Sequence, residues 1–585
     1  MGAFFLTCDK KEYRCDFALE LFQEMGFSSP RSLQIGRWTL YVYSKMSSKE
    51  NNIISDGDHT IVSIGTPIYK GRNYSDSLKT IFDDYLSTNI SFEQLVGQYT
   101  IIICHKDEIK ILCDPLGSKH VFTDQKSCVL SSHMLPLCHC MSGQLHINRQ
   151  AIYEKLLIGF IMPPDTLFEE IVQIDGSVQK KINEMNTGVS FIHTPKMKYP
   201  EVFSKDQKNC LNEQAAELHS YFESIKEYSR SGVDLGLSGG YDSRLVLACL
   251  KQYTKERMHL HSHSTENVHQ KDLKIANQMA EYVGVPCHIT KTKKLNHYNN
   301  IDDVLRKSVL YFDGRSSFSI GGCGEVYTAS YRINSTEGTP FTLTGVGGEL
   351  YRNIFDLGHS KIRFDWFMMK KVFSPLFSKA ISESLYHDIS KTIIEKAASR
   401  LSIDKHQKQS KIIAHRYYCE IMMPDGQGVA LDAYNQISCC VAPFLEPSII
   451  ASGYSSIPFH HSGGEFEGKL IDFIDTGLAA IPSSYGYPIG KRPMKAKIKE
   501  RVRTFIPVSA WNKLSLIVHS ENDRHLESMQ ELYANSETLK DAYSYMVKLF
   551  PEINFEVLIQ SSENIRKIQF LAMTLYYLRE RINVQ

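Results

Sequence analysis

Leu235-Gly-Leu-Ser-Gly-Gly-Tyr-Asp-Ser-Arg244 is the stretch on which the fold turns. It joins an apolar run that begins at Val233 to a helix expected from Ser243, so a strand ends and a helix begins within it. At such a junction the backbone N–H groups of the helix start can cradle phosphate oxygens. Gly239 and Gly240 let the backbone approach an anion with no Cβ in the way. The hydroxyls of Ser238 and Ser243 add donors, and the Asp242 carboxylate suits a Mg²⁺ ion bridging phosphates. Ser-Gly-Gly alone would read as an ordinary turn. Ser-Gly-Gly-x-Asp-Ser after a hydrophobic strand is far more restrictive, and the absence of Gly-Lys-Ser or Gly-Lys-Thr rules out a Walker loop.

Outward from that stretch, a helix over residues 211–229 precedes it. MHLHSHS reads as a second strand, residues 272–283 as a helix and PCHITKT as a third strand. Strands alternating with helices imply a parallel α/β sheet. From about residue 360 helix dominates. Residues 1–190 differ: HTIVSIGTPI, GQYTIIICH and EIKILCDPLGS are short apolar runs ended by turns, with Asp114-Pro-Leu-Gly117 a turn between strands. SDSLKTIFDDYLS and residues 149–158 read as helices among them. Thr187 to Asp206, with Pro195 and Pro200, reads as a linker. At 585 residues the chain exceeds one ordinary core. It is therefore expected to form two domains, 1–190 and 191–585, the second with a helical elaboration.

Hydrophobic residues make up 42% and charged residues 22%, as in soluble globular protein, and the net charge of +1 points to neither nucleic acid nor an anionic membrane. No apolar run approaches the roughly 20 residues of a membrane span. The start, MGAFFLTCDKKEYR, lacks a basic flank before its apolar stretch, so neither a secretion signal nor a lipidation motif is expected. The 14 cysteines have no framework spacing, which suits reduced thiols and a cytoplasmic location. Cys138-His139-Cys140 and Cys439-Cys440 lack a second half with zinc-like spacing. His261 and His263 alternate on a strand with no carboxylate or third ligand in step, so they read as packing or partly solvated residues. Tyr241 reads as a packing residue.

The Ser-Gly-Gly-x-Asp-Ser loop resembles the pyrophosphate loop (PP-loop) of enzymes that cleave ATP between the α- and β-phosphates, and the chain resembles the asparagine synthetase superfamily, which includes β-lactam synthetases and lasso peptide cyclases. Asp272-Leu-Lys-Ile-Ala-Asn-Gln-Met-Ala is similar to the helix after the family's second nucleotide-binding strand. Thr344-Gly-Val-Gly-Gly-Glu349 is similar to its Ser-Gly-x-Gly-x-Asp loop, and Pro443-Phe-Leu-Glu446 to a Pro-Phe-Leu-Asp segment. Lys495-Ala-Lys-Ile-Lys499, ahead of Pro507, resembles Lys-x-x-Leu-Arg followed by Leu-Pro. GQYTIIICHKDEIKILCDPLGSKHVF and PPDTLFEEIVQIDGS resemble stretches of the glutaminase domain. The resemblance implies an N-terminal αββα glutaminase-type sandwich and a C-terminal α/β synthetase domain of the adenine-nucleotide-hydrolase type.

Three departures matter. The family's glutaminase opens Met-Cys-Gly-Ile, and its cysteine attacks glutamine; here the start is Met1-Gly2-Ala3-Phe4, and Cys8 and Cys15 cannot supply thiol and α-amine on one residue. The sandwich is therefore expected to be a degenerate glutaminase. Val346 stands where asparagine synthetases carry a glutamate; the alternative reading is that another carboxylate, Glu446, takes over its role. Glu349 replaces an aspartate and is one methylene longer.

The resemblance implies ATP and Mg²⁺ as cofactors. It implies Asp242 and Glu349 as metal ligands, Ser238, Gly239, Gly240 and Ser243 around pyrophosphate, and Leu237, Ser262, Thr344 and Gly345 along adenosine and ribose. Lys495 matches the lysine that meets the α-phosphate, with Lys497 the alternative in a basic stretch. The expected activity is adenylation of a carboxylate followed by amide formation, on a small-molecule or peptide carboxylate and an amine. An ammonia-using asparagine synthetase and a non-catalytic scaffold are the competing readings. A homodimer or a partner enzyme of a biosynthetic cluster is left open.

Overall fold

The computed structural model describes residues 2–8, 13–48, 50–175, 179, 188–195, 197–200, 203–254, 257–265, 270–292, 300–315, 324–358, 361–484, 487, 489, 493, 494, 498 and 536–583. The chain is a mixed α/β protein, with sheets in its N-terminal part and a parallel sheet plus helices beyond.

Alternation along Ala3–Cys8 sets the N-terminal layers. Phe4 and Leu6 face one side and Ala3 and Phe5 the other, as a period of two requires. The first sheet has six strands. Its central Ala3–Cys8 pairs antiparallel with Trp38–Tyr43 and Val129–Ser131. The second has five, with Tyr99–His105 between His59–Gly65 and Glu108–Cys113. Leu6, Trp38 and Leu40 of the first sheet meet Ile64, Ile102 and Ile111 of the second in an inter-sheet core. Helices Cys15–Glu24 and Met134–Cys140 cover the outside of the first sheet through Phe22 and Leu137. Helix Tyr74–Leu86 covers the second through Leu78, Ile81 and Phe82. The order is helix, sheet, sheet, helix, as the αββα expectation has it. Gly117 (φ +66°) donates its N–H to Asp114 O at 2.9 Å and closes the turn read at 114–117. Strand Val189–Ile192 runs parallel to Glu108–Cys113 and straddles residue 190, so the sheet reaches into the stretch read as linker.

The second part holds a five-stranded sheet in the order Cys287–Thr292, Met258–Thr265, Val233–Gly236, Phe341–Leu343, Cys439–Val441, with every pair parallel. In chain order that is 3-2-1-4-5. The order reverses between the first and fourth strands, and the crevice at their carboxyl ends is where open α/β sheets bind ligands. The loops starting at Leu237 and Thr344 both leave from that crevice. The fifth strand lies inside the region read as helical, because three residues show no periodicity. The helix read as 211–229 is Gln207–Ser224 followed by a separate turn, Lys226–Ser229.

The sandwich docks on the edge strand. Cys440 N donates to Thr66 Oγ1 at 3.0 Å, Ala442 N to Gln98 Oε1 at 2.9 Å, and Gly97 N to Glu446 Oε1 at 2.9 Å. Among the described residues no helix is long and apolar enough to cross a membrane.

Candidate nucleotide site

The loop after Val233–Gly236 is held at its start by the neighbouring strand. Leu237 N donates to His261 O at 2.7 Å, and Ser262 Oγ donates to Leu237 O at 2.9 Å, which brings Leu237 and Ser262 together. The Ser238 and Ser243 hydroxyls lie 3.2 Å apart across the turn, Ser238 N donates to Ser243 Oγ at 3.2 Å, and Gly240 N donates to Ser238 Oγ at 3.3 Å. Helix Asp242–Leu250 starts one residue earlier than the sequence suggests, and no side chain caps it. Its first-turn N–H groups are thus presented as an anion site is built. Gly239 sits in a tight place: a Cβ there would lie 2.3 Å from Asp272 Oδ1, displacing that carboxylate, and 3.1 Å from Ser484 Cβ.

The second glycine loop packs against the first. A Cβ on Gly345 would lie 2.9 Å from both Asp242 C and Ser243 N, and one on Gly348 would lie 2.2 Å from Asp242 Oδ1. Thr344 Oγ1 accepts from Val346 N at 3.3 Å, and Glu349 Oε2 accepts from Tyr418 OH at 2.6 Å. The Glu446 carboxylate is taken up by the sandwich. It is engaged by Gly97 N and by Gln98 Nε2 at 3.2 Å, and burial, with Asp114 adding, pushes it up to about 8.

Two residues absent from the sequence reading complete the crevice. Arg352 donates from Nε to Glu467 Oε2 at 2.7 Å and from an Nη to Asp242 Oδ1. Burial pushes Asp242 well above the usual carboxylate range, and Glu467 and Glu349 add to it against the pull of Arg352. Burial likewise raises Glu467. Arg352 thus bridges Asp242 and Glu467 with Glu349 adding its charge beside them, and buried Glu467 Oε1 has no donor outside this carboxylate group. An orphaned buried carboxylate oxygen beside two more carboxylates fits a hard divalent cation. Arg244, also unforeseen, is fully buried and donates to Leu478 O, Ile481 O and Pro482 O at 3.1, 2.6 and 3.0 Å. It pins the chain that then crosses the loop, where Ser484 N donates to Gly239 O at 2.9 Å. Lys495 and Lys497 lie outside the described residues.

The histidine strand also departs from its reading. A carboxylate does lie in step, on the neighbouring strand: Asp234 Oδ1 accepts from His259 Nδ1 at 2.9 Å and from His261 Nδ1 at 2.6 Å.

Residues 223–348 match the family model described as Asparagine synthase. No curated protein sequence matches the chain. Among solved structures, the U34-tRNA thiolase NcsA from Methanococcus maripaludis with its 4Fe-4S cluster is similar over 54% of this chain and 90% of that one, at 14% identity and a TM-score of 0.20. The matched segment contains the first glycine loop and the second as far as Gly348, the two that the structure packs against each other at the switch point of the sheet, so residues 223–348 are similar to an asparagine synthase domain.

Proposed function

We propose that the protein is an ATP-dependent, AMP-forming ligase that activates a carboxylate as an acyl adenylate and joins it to an amine. The observation that carries this is the contact of Gly345 and Gly348 with Asp242, which sets two glycine loops and the carboxylates of Asp242, Glu349 and Glu467 around one crevice. Ser238, Gly239, Gly240 and Ser243 hold pyrophosphate, and Leu237, Ser262, Thr344 and Gly345 flank adenosine and ribose. Asp242, Glu349 and Glu467 hold Mg²⁺, whose charge offsets that of the phosphates. A carboxylate oxygen of the substrate attacks the α-phosphorus, pyrophosphate leaves, and the amine then attacks the acyl carbon, losing a proton as AMP departs. Lys495 opposes the negative charge that develops at the α-phosphate.

The αββα sandwich serves as a structural partner rather than a glutaminase. A Cβ on Gly2, which directly follows Met1 with no cysteine between them, would lie 2.6 Å from Phe27 Cε1 and 2.7 Å from Ser44 O. The space beyond is filled by Phe22, Phe27, Tyr43 and His133, whose ring centroids lie 4.4–5.7 Å apart. The amine then comes from the substrate itself or a second substrate. Val346 offers no charge to a free amino acid, which favours a larger or less polar carboxylate, such as a peptide or sugar acid, over aspartate. Pyrophosphate release measured across such carboxylates, beside aspartate with ammonium, tests the reading. Asparagine formed at the rate of a genuine asparagine synthetase would overturn the substrate assignment, and the absence of any carboxylate-dependent release would favour the scaffold.

A further inference from the structure

A polar seam crosses the parallel sheet where Arg332 of helix Ala329–Ser335 reaches it. Thr342, Asp234 and His259 stand side by side on three adjacent strands, and His288 stands level with His261. Asp234 is fully buried and accepts from both His259 and His261 through Oδ1, while Thr342 Oγ1 and Arg332 Nη approach Oδ2 at 3.3 and 3.5 Å. A buried carboxylate fixing an imidazole through Nδ1–H leaves the Nε2 lone pair as the free ligand end.

In His259 that end has no outlet. Its Nε2 is buried without a hydrogen-bond partner, and Glu337 Oε2 stands 3.7 Å from it. The two groups thus face each other across a gap too long for a good hydrogen bond. The other Glu337 oxygen lies 3.2 Å from His288 Nδ1. Glu337 is held there from the turn before Phe341–Leu343 in a left-handed conformation, φ +47°, that non-glycine residues seldom adopt. The ligand atoms of His259, His288 and Glu337 all lie within 4.8 Å of one another. Ligands on a tetrahedron with bonds of about 2.0–2.1 Å are about 3.3 Å apart, so the observed 3.2 and 3.7 Å are close to the edges such a site requires.

We propose that His259 Nε2, His288 Nδ1 and the Glu337 carboxylate bind a zinc ion, with Asp234 orienting His259 from behind. Two imidazoles and one carboxylate suit a borderline first-row divalent ion rather than Mg²⁺, which prefers oxygen. Three protein ligands leave one coordination position for water. The ion ties strands Met258–Thr265 and Cys287–Thr292 to the turn before Phe341–Leu343, at the end of the sheet away from the nucleotide loops. The proposal is independent of the ligase reading.

The test is metal uptake by the full chain after chelator treatment, with zinc quantified after gel filtration and cobalt used as an optical probe. One zinc per chain and the visible absorption of four-coordinate cobalt are expected. His288→Ala and Glu337→Gln alter half-exposed side chains, so the fold tolerates them. Each should lower zinc affinity at least about tenfold and abolish the zinc-induced rise in Tm. Asp234→Asn should weaken binding about 10–100-fold. No retained zinc in the native chain, or zinc retained equally by H288A and E337Q, would overturn the proposal; in the second case cysteine thiols hold the metal.

Discussion

Glu467 and Asp242, far apart in sequence, share Arg352: its Nε reaches Glu467 Oε2 at 2.7 Å and an Nη reaches Asp242. The guanidinium neutralises one charge of the carboxylate group and leaves Glu467 Oε1 without a donor outside that group. On the proposed reading a divalent cation would satisfy that oxygen. Glu467→Gln keeps an acceptor for Arg352 while removing the charge. It should raise the Mg²⁺ concentration for half-maximal ATP–pyrophosphate exchange by about tenfold or more. An unchanged Mg²⁺ titration would remove Glu467 from the metal site.

Gly345→Ala forces a Cβ against the backbone of Asp242 and Ser243, neither of which can rotate away. A loss of about 1–3 kcal/mol in stability, with weakened ATP binding, is expected from such overpacking. Gly143→Ala, where nothing lies within 4 Å, is the control and should be near neutral. Thermal melts with and without ATP check both. Equal effects from the two variants would contradict the close loop contact.

Glu446 makes docking of the sandwich pH-dependent. Its carboxyl is raised to about 8, chiefly by burial, from an ordinary value near 4.5. Below about pH 4.5 it is protonated folded or unfolded. Between that value and about 8 the unfolded chain releases a proton that the folded chain keeps, so stability falls as pH rises, by a few kcal/mol in all. Glu446→Gln should flatten this fall and raise Tm at pH 8 relative to the native chain. A Tm difference that does not vary between pH 5 and 8 would mean that Glu446 is ionised in the folded state.

The two glycine loops were legible because their signal is contiguous: a strand, glycines where backbones meet, and a helix start. Arg352 and Glu467 were not, since a charged residue carries no mark of the partner it meets across the fold. Arg244 read as one more helix residue, although three carbonyls converge on it. The Asp234 cluster was missed because its carboxylate sits on the neighbouring strand, and register is set by the fold rather than by spacing along one strand. Strand Cys439–Val441 was too short to show a period, yet it carries the contacts with the sandwich.

Lys495 follows Ser484, whose N–H rests on Gly239 O, by eleven residues. Lys495→Ala should leave ATP binding largely intact and cut turnover by about 10²–10³, the scale of one preorganised charge. Single-turnover rates for Lys495→Ala and Lys497→Ala separate the two lysines. A large loss only in the second would move the role two residues along.

The nucleotide made from ATP is the most direct measurement. The native chain and Asp242→Ala are each given ATP labelled in the α-phosphate, Mg²⁺ and a pool of peptides, amino acids and sugar acids, and the products are separated by chromatography. AMP and pyrophosphate should form with the native chain, only when carboxylates are present, and not with D242A. ADP as the product, or AMP formed equally by D242A, would contradict adenylation at this crevice.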